Sequence, residues 1–116
     1  SIAGPGSATT GQWHHIVVTY DGSTVKFYHD NGTPTTSAIS RGAIQTSTNS
    51  WNIGADNNGA RLWDGDLDEI AIWDRALEAT DVATIYNSTN DNSGKCANLW
   101  SGGLGTGLVY WNRMGD

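Results

Sequence analysis

The chain has 116 residues, enough for one small domain with a modest core. Six Lys and Arg against twelve Asp and Glu leave a formal charge of −6, an acidic surface that repels phosphate backbones and argues against a nucleic-acid partner. No apolar run approaches the ~20 residues of a membrane span, and one cysteine, Cys96, excludes an internal disulfide framework. Cys96 sits in a loop-like stretch (NSGKCA) and reads as an incidental thiol, with an intermolecular bridge as the alternative.

The apolar set is weighted to aromatics, with six Trp and four Tyr, and the 15 Gly imply many turns and short strands. After a small polar opening at 1–11, residues 12–20 (QWHHIVVTY) are β-branched and aromatic. Ile16, Val18 and Tyr20 share one face, and Trp13, His15 and Val17 the other, so the run is expected as a central strand. Asp21-Gly22-Ser23 is a turn, and 24–30 (TVKFYHD) alternates, which together predict a hairpin. Asn31-Gly32 marks a second turn, and Thr-rich 33–40, carrying Pro34, is expected near a sheet edge. Short strands are expected at 51–54 and 61–63 around the polar loop ADNNGA at 55–60. Residues 66–73 (DLDEIAIW) alternate as a longer strand. In 77–86, Val82, Ile85 and Tyr86 fall at helical spacing, with Thr80 and Asp81 suited to a first turn. Residues 91–107 are Gly/Ser/Asn-rich and expected as a linker, and 108–116 (LVYWNRMGD) carries a last strand signal.

Three ordered motifs then point further. They are residues 11–22 (GQWHHIVVTYDG), 25–32 (VKFYHDNG) and 63–77 (WDGDLDEIAIWDRAL). They resemble the "W-H-x-V-A-V-T-Y-D-G", "V-x-L-Y-V-D-G" and "F-x-G-x-I-D-E-V-x-I-Y-x-R-A-L" runs of laminin G-like domains, a branch of the concanavalin A-like jelly rolls. The resemblance implies an all-β antiparallel sandwich with one short surface helix. Family members carry strands before the "W-H" strand, so residues 1–90 look like the C-terminal two-thirds of a module. Residues 108–116 either complete that sandwich or open the next repeat, as "W-R-M-G-D" runs do in tandem modules of tailed-phage virion proteins and bacterial surface proteins.

Six Asp and Asn side chains, Asp56, Asn57, Asn58, Asp64, Asp66 and Asp68, lie within thirteen positions. Calcium takes roughly six to eight oxygens, and related domains hold calcium near loops, so Asp56, Asp64 and Asp68 are candidate ligands for a bound calcium. Ordinary turn chemistry is the competing reading. The candidate ligand-binding residues are Asn57, Asn58, Arg61 and Trp63, with Trp63 and Trp100 the exposed indoles and Trp13, Trp51 and Trp73 expected in the core. His14 and His15 are adjacent on a strand and point to opposite faces; His15 and His29 are the pair expected to meet across the hairpin, in a structural role. Catalysis is not expected. Glycosidases need two carboxyls about 5–9.5 Å apart across a sugar, and no Glu-x-Asp-x-x-Glu-type run, nucleophile elbow or phosphate loop is present. The resemblance therefore implies a non-catalytic recognition or structural module of a larger virion or cell-surface protein, meeting glycan or protein through its loops. The alternatives are a capsid-decorating or fibre-building unit that pairs strands with neighbouring modules or subunits, and an accessory binding domain of a carbohydrate-active enzyme.

Overall fold

A computed structural model describes residues 9–39, 41–56, 58–88 and 97–114. The Asp21 turn folds the first two apolar runs onto each other. Asp21 Oδ1 accepts the N–H groups of Ser23 and Thr24 at 2.9 and 2.7 Å, and these donors hold its carboxyl below the usual carboxylate range. Strand β1 (Ile16–Tyr20) thereby pairs antiparallel with β2 (Thr24–His29), with Tyr20 opposite Val25 and Ile16 opposite His29. Strand β3 (Thr35–Ala38) joins the far side of β2, giving the order β1-β2-β3. β1 is thus an edge among the described residues, where the sequence suggested a central strand. Its apolar residues on both faces do not mean two lateral neighbours. Val17 packs toward the core, while Ile16 and Val18 on the other face stay 53% and 55% exposed.

The second sheet pairs β4 (Ile70–Trp73) with β5 (Leu108–Asn112), Ile70 opposite Asn112, with an irregularity between Ile72 and Trp73. β4 is shorter than the alternation over 66–73 suggested, because Glu69 takes a left-handed φ of 50° that ends regular pairing. Glu69 instead ties the sheet together. Its carboxylate accepts Trp111 Nε1–H at 2.7 Å and Arg113 Nε–H at 3.2 Å. The expected strands at 51–54 and 61–63 reduce to a single bridge, Ala55 with Leu62.

Helix α1 (Ala79–Asn87) packs one face, through Val82 and Ile85, on apolar residues of both sheets, while Thr80, Thr84 and Asn87 stay exposed. Its first turn is fixed by Asp81, which accepts the Glu78 N–H at 3.1 Å and Arg75 at 2.7 Å. Val82 is fully buried against Tyr28 and Leu77, with Val17, Trp73 and Ile85 around them. A second cluster, Ala97, Leu99 and Leu104, packs with Ala71, Leu108 and Trp111, and Trp73 and Ile85 belong to both. The Gly-rich composition of 91–107 hides these apolar anchors; in its described part the segment is pinned by Trp73 Nε1–H to Leu104 O (2.7 Å) and Arg75 Nε–H to Thr106 O (2.8 Å). It ends at Gly107, whose φ of 74° and close approach of Asp74 and Arg75 leave no room for a Cβ. Of the three indoles expected inside, Trp73 packs there. Trp13 and Trp51 are 69% and 80% exposed, because each lies outside the strands that carry the core. No helix among the described residues is long and apolar enough to cross a membrane.

Candidate functional site

The loop after residue 54 is built on Asp56. Its Oδ1 accepts the N–H groups of Ala60 at 2.9 Å and Asn58 at 3.0 Å, and the Ala60 bond above all lowers its pKa. Asn52 Nδ2–H closes on Asp56 O at 2.9 Å, and Asp56 N–H and Trp63 N–H reach Arg61 O and Gly54 O at 3.1 and 2.7 Å. The loop therefore returns on itself and presents Arg61, Leu62 and Trp63 to solvent. Trp63 is 58% exposed and Leu62 75%. The Trp63 indole lies against Gly65, where a Cβ would sit 3.1 Å from Nε1 and push the ring aside by a few tenths of an ångström. Gly54, Ala55 and Leu67 complete a shallow open groove beside these side chains.

Arg61 and Trp63 are thus brought to one groove, and Asn58 stands on the turn that shapes it. Asn57 lies outside the described residues, as does Cys96. The proposed calcium ligands are not brought together. Asp56 spends its Oδ1 on the loop, Asp68 accepts the Glu69 N–H at 2.8 Å, and Asp64 is exposed. Among the described residues, the group of three or more His, Cys, Asp or Glu side chains close enough to hold one ion is a different one: His14, His29 and Asp30.

That group corrects the expected histidine pairing. The turn places Ile16 opposite His29, so His14, two residues away, shares the face of His29, and His15 takes the other. His14 Nδ1 lies 2.7 Å from Asp30 Oδ2 and 3.0 Å from His29 Nε2. Asp30 raises the pKa of His14, while the His15 N–H, then His14, lower that of Asp30. His15 turns inward beside Tyr86, with ring centroids 5.8 Å apart, and burial pushes its pKa down. The residues were visible in the sequence; the missing signal was the hairpin register, which turn length decides.

Two antiparallel sheets with one short helix packed against them are the architecture of an incomplete β-sandwich module. A family model for the concanavalin A-like lectin/glucanases superfamily, in its laminin G branch, matches residues 1–83, and the chain belongs to that family. The three motifs at 11–22, 25–32 and 63–77 all fall inside the match. A solved structure of an S-layer domain-containing protein from Clostridium thermocellum, residues 221–444, is similar at 25% identity and a TM-score of 0.50. The similarity covers 74% of this chain and 44% of that one, so this chain spans less than half of that neighbour. The curated proteins hold no match.

Proposed function

We propose that the chain is a non-catalytic recognition module of a larger cell-surface protein and that it takes a neutral glycan on the Trp63 groove. The observation that carries this reading is the solvent-facing indole braced on Gly65, with Arg61 beside it. An indole face offers an apolar plate to the C–H face of a sugar, and the Arg61 guanidinium offers donors to hydroxyls. Among the described residues the groove is lined by Gly54, Ala55, Arg61, Leu62, Trp63 and Leu67, an apolar surface with one cationic donor that suits holding a neutral sugar. The matched superfamily is named for lectins and glucanases, both of which engage sugars, and the similar structure is that of an S-layer domain-containing protein, which supports a surface setting.

A glycan array followed by calorimetry tests the reading. The expected result is retention of one glycan class, with affinity reduced at least tenfold by Trp63→Ala and an unchanged melting temperature. An empty array, or equal affinity of the variant, overturns it. A second reading has its own observation: among the described residues β1 is an edge strand, whose backbone N–H and C=O groups can pair with a strand of a neighbouring module. Sedimentation of the chain at rising concentration checks it; self-association is expected, and a monomer throughout removes this reading.

A further inference from the structure

We propose that His14 Nδ1, His29 Nε2 and Asp30 Oδ2 form a three-ligand site for a zinc-class divalent ion, with one coordination position left open. The three atoms stand 2.7, 3.0 and 3.3 Å from one another. Ligand atoms about 2.0–2.1 Å from a tetrahedral zinc lie about 3.3 Å apart, so the triangle becomes one face of that tetrahedron by opening by up to about 0.6 Å on its shortest edge.

The surrounding contacts aim the donors inward. His14 Nε2 lies 3.2 Å from Thr9 O; an N–H donated there leaves the Nδ1 lone pair facing the cluster. Asp30 Oδ1 accepts the His15 N–H at 2.8 Å, which fixes the carboxylate and leaves Oδ2 for the ion. Asp30 N–H bonds His15 O at 2.9 Å, so the ligand-bearing backbone is anchored on both sides of its side chain.

Without a cation, three lone-pair atoms converge on one point. A proton on His14 Nδ1 is donated to Asp30 Oδ2, and His29 Nε2 meets the pair as an acceptor or, in its other tautomer, as a second donor to Asp30. A zinc ion engages all three and sends that proton to solvent. Two imidazole nitrogens with one carboxylate favour zinc over calcium, which prefers an all-oxygen shell. The side chains are 15%, 24% and 35% exposed for His14, His29 and Asp30, so solvent reaches the fourth position, where water or a donor atom of a bound partner completes the shell.

The test is calorimetric titration of the metal-freed chain with zinc chloride, beside the visible spectrum of the chain with cobalt(II). One zinc per chain is expected, with a dissociation constant on the order of micromolar, weaker than closed four-ligand sites. Cobalt should give the intense bands of tetrahedral coordination. His29→Gln should weaken zinc at least tenfold and abolish those bands, while Asp68→Asn should change neither. Urea unfolding of His29→Gln in EDTA verifies that the variant is folded; should it not be, His14→Gln carries the same test. No zinc binding by the wild-type chain, or binding retained by the folded variant, overturns the site.

Discussion

The loop region at 42–67 and the region built on β4, α1 and β5 are held by different forces. In the second, Val82, Leu77, Leu99 and Leu104 are buried, and Trp73 and Ile85 link two apolar clusters. In the first, Ile44, Trp51, Ile53, Leu62 and Trp63 are all exposed, and the backbone is held by the hydrogen bonds that Asp56 collects. Buried apolar packing therefore resides around α1, whereas the loops leave their aromatic residues at the surface, where the proposed glycan groove lies. Aromatic residues occur in both regions, so composition alone does not separate the roles.

Trp73→Ala should break the packed region most severely. It removes an indole shared by both clusters and leaves Leu104 O without its donor. A loss of about 3–5 kcal/mol is expected, read as a large drop in the urea midpoint at 25 °C. Retention of the wild-type midpoint would show that the two clusters do not depend on their shared ring.

Asp81→Asn should cost less, about 1–2 kcal/mol for a charge-assisted bond that is partly solvent-exposed. Arg75 holds the Asp81 pKa below its ordinary 3.8, so the carboxylate adds stability above that value and loses it as pH falls through the lower folded value. Wild type and variant should differ in urea midpoint at pH 7 and converge in strong acid. A difference that persists unchanged at low pH would assign the effect to packing instead of charge.

The hairpin, the edge position of 33–40 and the helix near 77–86 were legible because turn residues, alternation and helical spacing all agreed there. The loop region was not. Trp51 and the Arg61–Trp63 stretch have strand-like composition, yet strands need partners, and the described residues supply only the Ala55–Leu62 bridge. The Gly-rich 97–107 segment misled in the opposite sense, since three well-placed apolar residues suffice to anchor it. At the candidate sites, Trp63 announced itself by sitting beside a Gly turn. The His14–His29 pairing depends on register, and a shift by one residue would have brought His15 to the same face.

Trp51→Ala is the mildest and most discriminating change. Trp51 is as large as Trp73 and 80% exposed, so its removal takes little apolar surface out of a buried state. A change within about 0.5 kcal/mol is expected, with the urea midpoint close to wild type. The same variant should leave the cobalt spectrum of the hairpin unaltered, since Trp51 lies outside that cluster. Were Trp51→Ala instead as damaging as Trp73→Ala, the loop region would be contributing a core of its own, and the contrast between an exposed loop region and a packed region around α1 would fail at its most exposed described aromatic residue.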